Sequence, residues 1–345
     1  MKVHAYASLP HYAEHIDAVW RHLPAELAGV RFSPVGRAWP GWQQTGRGRP
    51  PLAEPVIVAG YADATVMRPR PVILLEHGAG QAYTGDPRSA RNGSYAGGDG
   101  LEHAVAFVCP SSTVADRWRA RCPATPAAVV GCPKLDPWHA GERGPLALPF
   151  RERWPVVAVT FHWDAPIVPE TRSAWSHYDR ALEALRDDVR AAGGELLGHG
   201  HPRLWGAIER RWRALGVELV PRFADVLDRA DVLVADNTSA LYEFASTDRP
   251  VVVLNAPWYR RDVDHGLRFW SHVPGLMIDE PDELVGAVRA ALADPPDLRA
   301  IRGRAVAHAY AHLDGSAGRR AATAVEEAVR HAQPVQAPAV RRLGD

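Results

Sequence analysis

The stretch "ADVLVADNTSALYEFASTDRPVVVLN" (residues 230–255) decides how this chain is read. An apolar run stops at Asp236-Asn237-Thr238-Ser239, "ALYEFAS" then reads as a helix, and a second apolar run begins after Arg249-Pro250. A buried strand, a polar corner, a helix and another buried strand make one unit of a parallel α/β sheet. The corner itself has two readings. Thr238 or Ser239 suits an N-cap, and Glu243 is a favourable charge one turn into the helix. The same free N–H groups and hydroxyls would also suit a phosphate, with Glu243 in reach of ribose hydroxyls. This segment alone leaves both open.

Outward from it the pattern repeats. "VVAVTFHW" (156–163), "ELLGHGHP" (195–202) and "VELVP" (217–221) read as strands, while 170–194 and 204–216 read as helices. Residues 275–294 add a further strand and helix, and about 297–331 is Ala- and Arg-rich helix. Earlier in the chain, the opening residues, "PVIVAGY" (55–61), "PVILLEHG" (71–78), "AVAFVCP" (104–110) and "AAVVGCP" (127–133) are further strands, with a helix after Ser111. The 40–54 stretch reads as a long polar loop. The expected architecture is α/β, with two Rossmann-like doubly wound domains facing across a cleft: 1–138, a linker at 139–155, and 156–331. A disordered tail is expected at 332–345. Ligands of such sheets sit beyond the carboxyl ends of the strands. Trp205 and Trp212, two turns apart on one helix, read as packing.

The 345 residues carry 40 basic and 40 acidic side chains, so bulk charge gives no argument for nucleic acid. No signal peptide or long apolar span is visible, which makes a cytoplasmic protein the expectation. Three cysteines form no CxxC pair, and the 16 histidines include no HExxH, so no metal site is expected. The sequence lacks GxxxxGK[ST], GxGxxG and GxSxG, which leaves P-loop, dinucleotide and hydrolase chemistry unsupported.

What remains is polar residues at strand ends. His77 follows a strand in "LLEHGAGQ", where Gly78 and Gly80 allow close approach of backbone N–H groups; an imidazole there could be a general base or merely cap a turn. His201-Pro202 ends another strand, with His199 two residues before it. The loop "WYRRDVDHGLRFW" (258–270) carries Asp264 and His265 and could close over a ligand.

Taken in order, these motifs resemble the GT-B superfamily of nucleotide-dependent transferases. Within it, they are most similar to the bacterial CDP-glycerol glycerophosphotransferases, the teichoic-acid polymerase and primase family. "EHGAGQA" (76–82) stands where that family has WHGTPLK, "GCPKLD" (131–136) where it has G-Y-P-R-x-D, and "VTFHWDA" (159–165) where it has A-P-T-W-R-D. His201-Pro202 matches its HP pair, "DNTSALYEF" its D-Y-S-S-x-x-x-D/E-F segment, and "DGSAGRR" (314–320) its late D-G-x-x-x-x-R element. The chain departs from the pattern where Ala-Gly replaces Thr-Pro, where the closing lysine of the first motif is missing, and where His162 replaces a hydroxyl residue.

The resemblance implies a metal-independent enzyme without a cofactor. It would pass glycerophosphate from CDP-glycerol to the hydroxyl of a polyol, glycan or lipid-linked acceptor in cell-envelope synthesis. His77 would be the base and His201 would hold the phosphate. Gly78, Lys134, Asp236, Asn237, Thr238, Ser239 and Glu243 would bind the donor, and His162, Trp163, Asp164, Arg203, Asp264 and His265 would contact substrate. UDP-sugar transferases and UDP-GlcNAc 2-epimerases share the Ser-rich segment, so a UDP- or other NDP-sugar is the alternative donor. A non-catalytic nucleotide-binding protein is a second alternative. A lipid-linked acceptor would bring the protein to the inner face of the membrane as a peripheral visitor. Oligomeric state is left open.

Overall fold

The computed structural model describes residues 1–45, 51–79, 101–144, 155–164, 169–260 and 271–331. Asp264, His265, Gly80 and the 332–345 tail lie outside them.

Two wholly parallel sheets organise the chain. The first contains β1 (Val3–Tyr6), β2 (Ala28–Ser33), β3 (Gln43–Gln44), β4 (Val56–Val58), β5 (Val72–Leu75), β6 (Ala104–Cys109) and β7 (Ala127–Val129), in the order β3-β2-β1-β4-β5-β6-β7. The second contains β8 (Val156–Thr160), β9 (Glu195–Gly198), β10 (Glu218–Leu219), β11 (Val232–Ala235), β12 (Val251–Leu254) and β13 (Leu276–Ile278), in the order β10-β9-β8-β11-β12-β13. Strand order reverses between β1 and β4 in one sheet and between β8 and β11 in the other. Loops leaving such neighbouring strands diverge to opposite faces and open a crevice. This is the double Rossmann-like architecture of the GT-B fold. Strands β4, β5, β11 and β12 are apolar throughout and buried, as sheets covered on both faces require.

Three departures from the sequence reading have physical causes. First, α1 (Pro10–Trp20) and β2 occupy a region for which only an opening strand was expected. Within the 40–54 stretch, read as loop, Gln43 and Gln44 pair in register with Phe32 and Ser33 as an edge strand. Two polar residues carry no periodicity from which a strand can be read.

Second, the helix expected over 170–194 is broken into a 3-10 turn (Pro169–Thr171), α5 (Trp175–Tyr178) and α6 (Ala181–Ala191). Its polar start is held by distant partners. Glu170 is fully buried and accepts from the Arg260 backbone and guanidinium at 2.7–2.9 Å, while the Ala174 N–H donates to Asp236 at 2.8 Å.

Third, the terminal helical region is two helices, α11 (Pro296–Ala309) and α12 (Ala317–His331), and α12 returns to the first sheet. Ala321, Ala322, Val325, Ala328 and Val329 join a core with Ile16, Val19, Ile73 and Val108. Asp136 accepts from the Ala317 and Gly318 N–H groups (3.0 and 2.6 Å) at the start of α12. Within "DGSAGRR", Arg320 donates to Asp314 at 2.7 and 2.9 Å and to the Val130 carbonyl at 3.0 Å. That element therefore fastens the returning helix to the end of β7.

Trp212 is fully buried on α7 (Trp205–Ala214), against Trp175 and beneath Gly198, where an added Cβ would lie 2.6 Å from its ring; Trp205 packs half-buried against the same core. Both are packing residues, as the sequence suggests.

Candidate active site

A cavity of about 190 Å³ lies between the carboxyl ends of the two sheets, lined from both. The first sheet contributes residues from α1, from the loop after β5 and from the turn after β7. The second contributes the exits of β8, β9 and β11. Both reversal points of strand order thus open onto one space.

The lobes touch at Gly78. Its φ is +58°, the left-handed region that favours glycine, and an added Cβ would stand 2.5 Å from Ser239 Cβ and 3.3 Å from Glu243 Oε1. Its N–H donates to His15 Nε2 at 3.2 Å. Beside this contact, Lys134 Nζ donates to Glu243 Oε2 at 2.8 Å, with Glu14 Oε2 at 3.8 Å and the Phe223 ring at 5.5 Å. Burial acts to lower the Lys134 pKa, but Glu243 and Glu14 outweigh it and the net direction is up. The Lys134–Glu243 pair is an interlobe salt bridge with both side chains less than a tenth exposed. Breaking such a pair leaves a buried charge uncompensated, so Lys134→Ala is expected to destabilise the fold by roughly 3–5 kcal/mol in equilibrium denaturation. An unchanged midpoint would show that Glu243 finds another partner or solvent.

Six imidazoles line the cavity: His11 and His15 from α1, His77 after β5, His162 after β8, and His199 and His201 after β9. Burial is the main cause lowering the pKa of every one. His162 and His199 fall to about 3 and His201 to about 2, the last helped by its His162 and Arg203 neighbours. All are neutral near pH 7. The Arg203 N–H donates to His201 Nδ1 at 3.1 Å, which places the ring proton on Nε2. His77 forms a hydrogen bond with the Ala59 backbone, and Glu76 beside it raises its pKa against the larger effect of burial. Glu76 is itself fixed in the core by Tyr61 Oη (2.8 Å), Trp118 Nε1 (2.7 Å) and Arg117. His199 Nδ1 lies 2.6 Å from Thr160 Oγ1. Among the described residues, no group of three or more ligating side chains could hold a metal ion.

Of the residues singled out in the sequence, His77, Gly78, Lys134, His162, Trp163, His201, Arg203, Thr238, Ser239 and Glu243 meet at this cavity. The Arg203 guanidinium lies 4.5 Å from the centre of the Trp163 ring. Ser239 opens α9 (Ala240–Ala245) without making a capping bond.

Asp236, Asn237 and Asp164 do not line the cavity, contrary to the expectation that they bind ligand. Asp236 is fully buried and accepts from the His162 N–H (2.7 Å), the Ala174 N–H (2.8 Å) and Ser173 Oγ (3.3 Å). Burial pushes its pKa up to about 7 against those bonds. Asn237 donates to the Glu170 carbonyl at 3.0 Å, and Asp164 accepts from the Ser173 N–H at 3.2 Å. These three shape the β8 and β11 exits instead. The sequence reading overlooked His11, Glu14 and His15. The spacing of the two histidines, i and i+4 immediately after the first strand, was the available signal.

The family described as CDP-glycerol:poly(glycerophosphate) glycerophosphotransferase matches residues 177–327, which include His201 and the Thr238–Glu243 segment. No curated protein matches the chain. Among solved structures, the wall teichoic acid polymerase TagF with CDPG is similar over 95% of this chain and 89% of that one, at 12% identity and a TM-score of 0.61. A putative UDP-N-acetylglucosamine 2-epimerase from Listeria monocytogenes is similar over 94% and 96%, at 15% identity and 0.60. S. aureus MnaA with UDP is similar over 95% and 97%, at 13% identity and 0.59. The two reversed sheets and the cleft between them give this chain the double Rossmann-like fold shared with these structures, and its second lobe is similar to the CDP-glycerol:poly(glycerophosphate) glycerophosphotransferase family.

Proposed function

We propose that the protein transfers glycerophosphate from a CDP-activated donor to an acceptor hydroxyl in cell-envelope polymer or glycan synthesis. The observation that carries this reading is the meeting of His77 from one lobe with His201, Thr238, Ser239 and Glu243 from the other around a single cavity. The acceptor hydroxyl gives its proton to His77 while its oxygen attacks the distal phosphorus. The new P–O bond forms as the bond to the CMP phosphate breaks, and CMP leaves. His201 offers its Nε2 proton to a phosphoryl oxygen, and the hydroxyls of Thr238 and Ser239 add neutral donors. Charge developing on the phosphoryl group is thus met by fixed dipoles in a water-poor site, where they are strongest. Glu243 holds the ribose when the donor is bound, next to the Lys134 ammonium that fixes it here. The reaction needs positioning and no covalent intermediate.

A lowered pKa keeps His77 unprotonated, hence able to act as a base, throughout the neutral range. The acidic limb of the rate profile is therefore expected below pH 6.5, with a flat rate from there to pH 8. A limb centred at 7 or above would assign the base to another group.

The alternative donor is a UDP- or other NDP-sugar, attacked at the anomeric carbon; the likeness to UDP-N-acetylglucosamine 2-epimerases and to a UDP-bound structure supports it. Calorimetry with CDP-glycerol, CDP-ribitol, CDP, UDP-GlcNAc and UDP-glucose separates them. Tightest binding is expected for a CDP compound, weakened about tenfold or more in Ser239→Ala through loss of a phosphate hydrogen bond. A UDP-sugar preference would move the protein to the glycosyltransferases, and binding of none would remove the nucleotide reading.

A further inference from the structure

The amino-terminal lobe brings to the cavity an imidazole that none of the matched motifs contains. Pro10 begins α1 four residues beyond the end of β1, and this sets the first turn of the helix over the space between the lobes. His11 and His15 share one helix face. Their surroundings differ. His15 Nε2 is occupied by the Gly78 N–H, so His15 holds the loop that carries His77. His11 Nδ1, like the Nδ1 atoms of His15 and His162, is buried without a hydrogen-bonding partner among the described residues, but the His11 ring has no bond such as that of His15 to Gly78 to fix it. Its ring centre lies 5.0 Å from that of His201, on the opposite lobe, and 6.0 Å from that of His77. A buried polar atom left unpaired is uncommon and needs an explanation; a ligand that arrives later supplies one.

Resting on the phosphate-transfer reading above, we propose that His11 is a second phosphate-binding imidazole, which closes with His201 on the distal phosphate of the donor from the opposite lobe. The position fits this task. His11 neighbours both the ring proposed to take the acceptor proton and the ring proposed to hold the phosphate, so a phosphoryl group between those two comes within its reach. The nearby ammonium of Lys134 is committed to Glu243 at 2.8 Å. His11 donates an N–H to a non-bridging oxygen and gives up no proton in the reaction, which leaves the proton balance with His77. A contact from each lobe to the same phosphate also ties the donor to interlobe closure.

The test compares nucleoside diphosphate with monophosphate, using CDP and CMP, or UDP and UMP if the wild-type protein prefers uridine. His11→Phe keeps a ring but removes the donor; His11→Gln keeps an N–H donor. Calorimetry is expected to show diphosphate affinity falling about tenfold or more in His11→Phe, with monophosphate affinity unchanged and His11→Gln close to wild type. Equal diphosphate-to-monophosphate ratios in wild type and His11→Phe would overturn the inference. So would equal losses of both nucleotides in both variants, which would mark His11 as structural. Wild-type protein that binds no nucleotide at all would instead overturn the functional reading on which the inference rests.

Discussion

His77→Ala is expected to slow group transfer by roughly 10²–10⁴-fold, the usual contribution of a positioned general base, while donor affinity stays within a few-fold of wild type. The separation of the two effects follows from where His77 sits. It comes from the first sheet, whereas Thr238, Ser239 and Glu243, proposed to hold the donor, come from the second. Its orientation is also set from behind, by the bond with the Ala59 backbone and by Glu76 anchored on Tyr61 and Trp118. His77→Gln, which restores a polar group without a base, should not recover the rate. Loss of donor binding together with turnover would mean that His77 holds the donor; wild-type turnover would remove it from the mechanism.

Acidification is expected to unfold the protein more steeply than its balanced composition suggests. The six cavity imidazoles have folded pKa values below the ordinary 6.5 because they are buried. Between 6.5 and those lower values the unfolded chain binds protons that the folded chain does not, so stability is full above 6.5 and lost as pH falls below it. Two carboxyls act in the opposite sense. Burial raises Asp236 to about 7 and Asp63 to about 6, and acidification relieves part of their cost of burial. The six imidazoles outnumber the two carboxyls, so the net effect of acidification below 6.5 is destabilising. Denaturant midpoints measured from pH 7.5 to 5.5 should fall sharply below 6.5. A flat profile would mean that the imidazoles are hydrated and titrate normally.

The polar corner at residues 236–239 illustrates how much of the site could be read in the sequence. A strand ending in four small polar residues before a helix is a local pattern, and two of the four, Thr238 and Ser239, line the cavity. The same pattern could not divide the work among the four. Asp236 and Asn237 turn inward because Ala174, Ser173 and Glu170, more than 60 residues away, offer them partners. Apart from β2 and β3, the parallel strands were legible as short apolar runs. β3 was not, since two glutamines become a strand only by pairing with Phe32 and Ser33. α12 gave no local sign that its alanine and valine face belongs to the first core, because that is decided by what it packs against. His11 and His15 were visible as a helical pair but matched no motif, and only the facing of the two lobes gives them a place in the site.

The most direct test of the account is CMP release from CDP-glycerol by the purified wild-type protein, measured with and without a glycerophosphate-primed acceptor. The account predicts acceptor-dependent CMP release, with one glycerophosphate added to the acceptor per CMP formed, abolished in His77→Ala. Donor binding without any acceptor-dependent release, or turnover of a UDP-sugar in place of CDP-glycerol, would contradict it.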